Sequence, residues 1–235
     1  AEAEVAVSRL RSAGYDNISI DIIFGVAGFG DDHLLKSLQR AVALNVEHIS
    51  AYHLTVEERT RLGIMTQRGE YRPVDEEQSE REYLLVERVL AEAGYEHYEV
   101  SNYALEGCRA KHNSAYWAGV EYLGIGPGAH SFSGDDRTWC ASTAKEYAEG
   151  NLRFEGERLS AIDHLNEYIM TSLRRVEGID LAYIADHYGE AQRRRVERVA
   201  RVWIDSGALI ICGDALAIPT SHFMLSDAII ETLFA

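Results

Sequence analysis

Cysteine is scarce in this sequence, and its spacing excludes several classes of protein. The 235 residues contain three cysteines, Cys108, Cys140 and Cys212, which lie far apart. An odd, dispersed set of this kind is neither a disulfide framework nor a zinc or iron-sulfur motif, and it fits a reducing cytoplasm. The chain also lacks a secretory signal and any apolar run near the roughly twenty residues that span a bilayer, so we expect no membrane insertion.

Basic residues are few as well. There are 23 Lys and Arg against 38 Asp and Glu, which gives a net charge of -15. This charge repels phosphate backbones and anionic lipid, so we expect no binding to nucleic acid or to a membrane surface through bulk electrostatics. One basic cluster is present, and with Glu190 and Glu197 nearby it predicts a solvated helix face. The cluster consists of Arg193, Arg194, Arg195, Arg198 and Arg201.

The residues that are abundant predict an α/β protein. Hydrophobic residues make up 46% of the chain, which is enough for a core. Runs of β-branched residues alternate with helical patterns up to about residue 101, which is typical of parallel βα units. The predicted strands are Asn17–Phe24, His48–Leu54 and Tyr95–Ser101, and the predicted helices begin near Leu34 and span Asp75–Ala93.

The character of the sequence changes near Gly150. Helical patterns follow, and a short hairpin over Ala208–Ile218 is predicted to turn at Gly213 and Asp214. Helices followed by a hairpin suggest a small winged-helix-like unit that faces a partner or is structural. We therefore expect two domains, residues 1–150 and residues 151–235. The predicted helices are Ala161–Val176, Leu181–Tyr188, Gln192–Ser206 and Ser226–Phe234.

Asp21 is anomalous among the apolar residues of the first strand. A carboxylate buried there would cost several kcal/mol unless it were paired, hydrogen-bonded or facing a wet cavity. Asp21 is therefore a candidate functional residue, and the alternative is a carboxylate that accepts hydrogen bonds from the amides of a neighbouring loop.

A second candidate site lies in the stretch Lys111–Ser131, which reads KHNSAYWAGVEYLGIGPGAHS. It combines His112 and His130 with tyrosines, a tryptophan and four glycines. Such a stretch is typical of a binding site, and a bulged strand packed under a loop would need the same glycines.

Several segments together carry a family resemblance. The chain resembles the radical S-adenosylmethionine proteins related to oxygen-independent coproporphyrinogen III oxidase (coproporphyrinogen dehydrogenase), and within them the heme chaperone, HemW-like branch. The matching segments are SIDIIFG (Ser19–Gly25), HISAYHLTVE (His48–Glu57), GYEHYEVSNYA (Gly94–Ala104), HNSAYW (His112–Trp117), YLGIGPGAHS (Tyr122–Ser131) and LRRVEGID (Leu173–Asp180).

The resemblance implies the C-terminal part of a partial (β/α) barrel followed by the helical, winged-helix-like domain. Gly124–Ser131 is then expected to be a final barrel strand. Asp21 matches the family's strand acid that contacts S-adenosylmethionine, and Thr55 and His130 match further positions that touch this cofactor. The family's CxxxCxxC motif, which holds a [4Fe-4S] cluster, is absent from the chain. We therefore expect a piece of a longer protein that is inactive as an enzyme by itself.

The pattern HNxxYW separates two branches of the family. His112, Asn113, Tyr116 and Trp117 resemble the motif proposed for heme binding in the chaperone branch. Histidine is a good axial ligand to heme iron and aromatic rings can pack on a porphyrin, so His112 is the predicted iron ligand. A histidine beside aromatic residues can equally be a hydrogen-bonded packing residue.

Two functions follow from the resemblance. The first is a heme chaperone that binds heme and transfers it to apo-hemoproteins; the second is an oxidase that decarboxylates coproporphyrinogen III to protoporphyrinogen IX. A tetracarboxylate substrate needs cations, and between Asn102 and Ser131 only Arg109 and Lys111 supply them, which favours the chaperone. The sequence leaves a homodimer open.

Because the three dispersed cysteines cannot converge on one small cluster, we expect the chain to bind no [4Fe-4S] cluster by itself. Anaerobic reconstitution with iron and sulfide, followed by absorption spectroscopy and analysis of both elements, checks this. A cluster absorption band with near-stoichiometric iron and sulfide would contradict the expectation.

Overall fold

The computed structural model describes residues 2–235, which divide into two compact units. The first unit comprises the residues up to Lys111 together with Pro219–Ser226, and the second comprises His112–Ile218 together with Asp227–Ala235. The domain boundary expected near residue 150 follows a change in sequence pattern and stays a prediction about domain architecture.

The first unit is a mixed α/β layer. Its sheet has the strand order β1-β2-β4-β3, in which β1 and β2 are parallel and β4 is antiparallel to both of its neighbours. Its elements are α1 (Glu2–Ser12), β1 (Ser19–Phe24), α2 (Asp31–Ala43), β2 (His48–His53), α3 (Arg61–Gln67), α4 (Glu76–Glu92), β3 (Glu96–Glu99), β4 (Asn102–Ala104) and a 3-10 helix (Thr220–Leu225).

The strand predicted over Tyr95–Ser101 is shorter than expected, because the chain reverses after Glu99. Asn102–Ala104, which the sequence pattern assigns to a loop, forms β4 and inserts between β2 and β3. The parallel βα rhythm therefore ends after β2.

One face of this sheet is covered by α2 and α4. Their apolar stripes follow helical spacing, and Leu38 of α2, Leu90 of α4 and Ile49 of β2 are all fully buried. The other face carries the alternate residues of β1, of which Ser19, Asp21 and Ile23 are exposed. The alternation of side chains along β1 thus separates a covered face from an exposed one.

The second unit contains two antiparallel sheets with the strand orders β5-β6-β7 and β8-β10-β9. From residue 111 onward the elements are α5 (Lys111–Trp117), β5 (His130–Ser133), β6 (Asp136–Cys140), α6 (Ala144–Ala148), β7 (Phe154–Arg158), α7 (Ala161–Leu173), β8 (Ile179–Asp180), α8 (Leu181–Tyr188), α9 (Glu190–Asp205), β9 (Ile210–Cys212), β10 (Ala215–Ala217) and α10 (Ser226–Leu233).

The winged-helix-like arrangement is confirmed in this unit. Helices α7, α8 and α9 accompany the small sheet, and β9 and β10 form the predicted hairpin around Gly213 and Asp214. Local side chains start the helices: Ser160 forms a capping box with Asp163 at α7, and Asp180 accepts hydrogen bonds from two backbone amides at α8.

The prediction that Gly124–Ser131 is a final barrel strand is wrong. Only His130 and Ser131 of this stretch are in a strand, β5, which pairs with β6 in the antiparallel sheet of the second unit. The preceding residues form a loop, because positive φ angles at Gly126 and Gly128 turn the backbone.

Within residues 2–235, no helix combines the length and the apolar character needed to cross a membrane.

His97 of β3 is a buried titratable group in the first unit. It stacks on Tyr103 with 4.1 Å between ring centroids and meets the edge of Phe223, and it is 8% exposed. Burial lowers the pKa of His97 to about 4, and the backbone of Val100 and Glu99 opposes this shift only partly.

This burial predicts a pH-dependent stability. His97 has a depressed pKa in the folded state, so the unfolded chain binds more protons between about pH 6.5 and about pH 4. Its contribution of about 3 kcal/mol is complete above pH 6.5 and is lost as the pH falls toward 4. In His97→Phe, which keeps the ring and removes the titration, the free energy of unfolding should fall less between pH 7 and pH 4.5. Urea titration at pH 7 and at pH 4.5 measures the free energy of unfolding of the wild type and of His97→Phe.

The control is His33→Phe, which replaces an exposed histidine. If the wild type and His97→Phe lost equal free energy of unfolding between the two pH values, the prediction would be contradicted.

Candidate functional site

The HNxxYW residues lie on the short helix α5 (Lys111–Trp117). His112 and Tyr116 are four residues apart and share one helix face, where their rings meet edge to face at 4.9 Å between centroids. Tyr116 in turn meets Tyr122 edge to face at 4.7 Å. His112 is exposed and Asn113 is half-buried. An exposed imidazole is open to a ligand, as the heme prediction requires.

The end of α5 opens onto a cavity inside the second unit. This cavity has a volume of about 560 Å³ and is lined by Trp117 together with residues of β5, β6, α7 and α8. Ligand cavities in proteins are typically about 300–1,000 Å³ and are predominantly aromatic and apolar. The other aromatic residues of its lining are Tyr116, Tyr122, Phe132, Tyr168, Tyr183 and Tyr188.

Two arginines contribute to this lining, and one of them is neutralised. Arg137 lies 2.6 Å from a carboxylate oxygen of Glu167, and its guanidinium lies over the ring of Phe132 at 5.7 Å from the centroid. The hydrogen bond to Glu167 raises the pKa of Arg137. Since Glu167 also lines the cavity, this pair adds no net charge to it.

Arg175 differs from Arg137. Its Nε is buried and makes no hydrogen bond within residues 2–235, and the same holds for Nε1 of Trp117. Both residues line the cavity. Buried donors are normally satisfied, so two orphaned donors at one cavity indicate a polar ligand or ordered water there.

A second histidine reaches the cavity from α7. His164 lies in the lining, and its Nε2 is 3.2 Å from a carboxylate oxygen of Asp135. This makes His164 a rival to His112 as an iron ligand, although the contact with Asp135 already occupies its Nε2.

His130 lies on β5, is exposed, and stacks on Trp139 of β6 at 5.4 Å between centroids. Asp21 and Thr55 belong to the first unit, whereas His112, Asn113, Tyr116, Trp117 and His130 belong to the second. Thr55 is exposed in the segment that follows β2.

Asp21 does not bear the desolvation cost that made it a candidate, and its role stays a prediction. Asp21 is exposed on the open face of β1, opposite Ser50 of β2, and therefore keeps its hydration. His48 and Ser50 are buried polar residues on this face, and the imidazole of His48 contacts Ser19 Oγ at 2.7 Å and the Tyr98 hydroxyl at 2.8 Å. Burial lowers the pKa of His48, and the nearby Asp21 carboxylate partly opposes this.

The residues described do not fit an iron-sulfur cluster. Cys140 is buried, Cys108 is half-buried and Cys212 is exposed, and none forms a disulfide. Across residues 2–235, no group of three or more His, Cys, Asp or Glu side chains could hold a metal ion. A single histidine can still serve as an axial ligand to heme iron.

Sequence reasoning missed three members of the cavity, namely Arg137, His164 and Arg175. They lie 20 to 58 positions beyond Trp117, and counting cations only between Asn102 and Ser131 left both arginines out. Arg175 is part of the segment LRRVEGID, which by itself indicates only the family resemblance. No local pattern marks any of the three as part of one site.

The chain is similar over nearly its whole length to curated heme chaperones. It is 35% identical over 236 residues to the heme chaperone HemW of Mycobacterium tuberculosis, a match that covers 98% of this chain and 58% of that protein. It is 32% identical over 188 residues to HemW of Bacillus subtilis, covering 78% of this chain and 50% of that protein. The chain thus spans between half and three fifths of the length of these relatives.

Two further comparisons bear on the family and the fold. The mitochondrial radical S-adenosyl methionine domain-containing protein 1 of Danio rerio is 36% identical over 124 residues, 53% of this chain and 28% of that protein. The solved coproporphyrinogen III oxidase HemN of Escherichia coli, a radical SAM enzyme, matches with a TM-score of 0.75 at 15% identity, over 99% of this chain and 58% of that chain. The match to HemN shows the fold alone. No protein-family model matches the chain.

Gly124 gives a direct test of the loop that precedes β5. A Cβ at Gly124 would lie 2.1 Å from the carbonyl oxygen of His130, and backbone atoms cannot yield there without moving the strand. We expect Gly124→Ala to lower the free energy of unfolding by about 1–3 kcal/mol, the usual penalty of overpacking. Thermal and urea unfolding measure it. The matched control is Gly30→Ala, because a Cβ at Gly30 would meet nothing within 4 Å. Equal stability of the two variants would show that the close approach is absent.

Proposed function

The chain belongs to the HemW-like group of radical S-adenosylmethionine proteins, and from this premise we propose that it supplies the heme-binding part of a heme chaperone. The similarity to the HemW proteins supports the proposal, since the match to the M. tuberculosis protein covers 98% of this chain. Transfer of the bound heme to apo-hemoproteins, and assembly as a homodimer, are further parts of the same hypothesis.

One observation carries the proposal. The HNxxYW helix presents an exposed histidine whose ring contacts Tyr116, and Tyr116 and Trp117 line a large aromatic cavity. Heme needs an imidazole for its iron and apolar aromatic surface for its macrocycle, and α5 offers both within six residues.

The roles of these residues follow from their positions. His112 would donate a ring-nitrogen lone pair to the heme iron, and the edge-to-face contact with Tyr116 would restrict the orientation of the imidazole. Trp117 would pack against the porphyrin. Asn113, which is half-buried beside His112, would support the helix turn that carries the ligand.

The family resemblance also implies S-adenosylmethionine and an iron-sulfur cluster. By the family resemblance, Asp21, Thr55 and His130 are each proposed as contacts of S-adenosylmethionine. The exposure of all three side chains supports this, since a bound cofactor needs free surface. A [4Fe-4S] cluster would need ligands other than the three cysteines described. Their unpaired state supports a reducing compartment such as the cytoplasm.

The oxidase of porphyrin synthesis is the second candidate. Its support is the fold that the chain shares with HemN, and at 15% identity this likeness extends to the fold alone. The cavity also weakens the argument from charge, because Arg137 and Arg175 add cations that the sequence count left out. The chaperone is preferred because the curated relatives at 35% and 32% identity are heme chaperones.

The test is a heme titration of the whole chain followed through the Soret band. We expect His112→Ala to weaken heme binding by about tenfold or more, which corresponds to about 1.4 kcal/mol per factor of ten, and to remove the Soret shift of the histidine-ligated form. His33→Ala is the matched control, since His33 is an exposed histidine of the first unit and should have no effect.

His164→Ala separates the role of His164, which lines the cavity, from that of the exposed His112. Unchanged heme binding in this variant is expected, because its Nε2 is engaged by Asp135. Loss of binding in His164→Ala with retention in His112→Ala would overturn the assignment of the ligand. Absence of saturable heme binding by the wild-type chain would overturn the proposed function.

A further inference from the structure

The cavity beside α5 has a charge imbalance that the proposed axial ligand does not explain. Its lining includes one carboxylate, Glu167, and two guanidinium groups. Arg137 is paired with Glu167 at 2.6 Å, so the charge of Arg175 is the excess. In a protein with a net charge of -15, a cavity that keeps an uncompensated cation favours an anionic ligand.

The unsatisfied hydrogen-bond donors of the cavity also favour an anionic ligand. Nε of Arg175 and Nε1 of Trp117 are both buried without hydrogen-bond partners within residues 2–235. A carboxylate is acceptor-only and satisfies such donors, and a charge-assisted bond from arginine is among the strong ones. Six further residues of the lining are Tyr or Phe, and their rings offer flat apolar surface to a conjugated ring system.

We propose that Arg175 binds a carboxylate of a porphyrin whose macrocycle packs against Trp117 and the tyrosines of this cavity. The inference rests on the proposed function and deepens it, because it assigns the ligand's acidic side chains and its ring to named residues. The porphyrin would be held by its carboxylate and its ring together, independently of the iron.

Arg175 is a better candidate than Arg137 for this role. A ligand carboxylate at Arg137 would have to displace Glu167, and breaking a partly buried ion pair carries an uncompensated desolvation penalty. Arg175 Nε has no such competitor. Arg174, the preceding residue, is bonded to Asp227 at 2.7 Å and is absent from the cavity lining, so the two neighbouring arginines have separate roles.

The volume is compatible with this ligand class. About 560 Å³ lies in the middle of the range for sites that bind cofactor-sized molecules. The lining reaches from Tyr116 on α5 to Tyr188 at the end of α8, so one ligand would contact several elements of the second unit at once.

The experiment titrates the whole chain with iron-free protoporphyrin IX and with its dimethyl ester, in which both carboxylates are blocked. Quenching of tryptophan fluorescence reports binding, and Trp117→Phe should remove most of the quenching signal. We expect the free acid to bind at least about tenfold more tightly than the ester, because the ester cannot accept the charged hydrogen bond as a carboxylate does.

Substitutions at Arg175 test whether this residue binds the carboxylate. Arg175→Gln should weaken binding of the free acid by about tenfold to a hundredfold and leave the ester unchanged, and Arg175→Lys should restore part of the affinity. Arg174→Gln is the matched control, since it removes the same charge one position away and should bind like wild type. Thermal unfolding of each variant checks that it is folded.

The outcomes separate this inference from the proposed function. Equal affinity for acid and ester in the wild-type chain would overturn the role of Arg175 even if Arg175→Gln failed to fold. Heme binding that depends on His112 but not on Arg175 would overturn the inference and leave the proposed function standing. If neither porphyrin nor heme bound to the chain, both proposals would fail.

Discussion

The parallel pairing of β1 with β2 is the constraint on which the first unit depends. Its register runs from Ser19 opposite His48 to Phe24 opposite His53. The side covered by α2 and α4 is apolar, so the alternation of side chains places Asp21 and Ser50 together on the open side. A slip of one residue would exchange the two faces, and the buried apolar residues therefore fix the position of every polar group on the open one.

A buried carboxylate secures the carboxyl end of this pairing. Glu82 of α4 is 2% exposed, and its two oxygens accept hydrogen bonds from the Gly25 backbone amide at 2.7 Å and from Gln78 at 2.6 Å. The imidazole of His53 occupies the space that a Cβ at Gly25 would need, at 2.4 Å. The turn after β1 thus requires glycine for two reasons, a positive φ and a close neighbour.

The sequence allows prediction of elements whose signals are local. Helix α8 and the hairpin of β9 and β10 follow from apolar spacing and a Gly-Asp turn, and the two faces of β1 follow from alternation. Strand β4 cannot be predicted from its sequence, because three residues are too few to show a period. It forms because β2 and β3 hydrogen-bond to it on both sides. The exposure of Asp21 also escapes prediction, because alternation shows that a strand has two faces and does not show which of them is covered. The cavity residues His164 and Arg175 follow only from tertiary packing, which no spacing in the sequence encodes.

The net charge of the protein and the local charge of the cavity act on different kinds of anion. The charge of -15 is spread over the surface, and at physiological salt its influence decays within about 8 Å. A nucleic acid must meet a broad area of that surface and is repelled over all of it. A small flat dicarboxylate meets only the cavity lining, where the uncompensated guanidinium of Arg175 acts at short range and with less screening. The local charge at the contact therefore decides which anions bind, and a composition that excludes nucleic acid is fully compatible with a site for an acidic porphyrin.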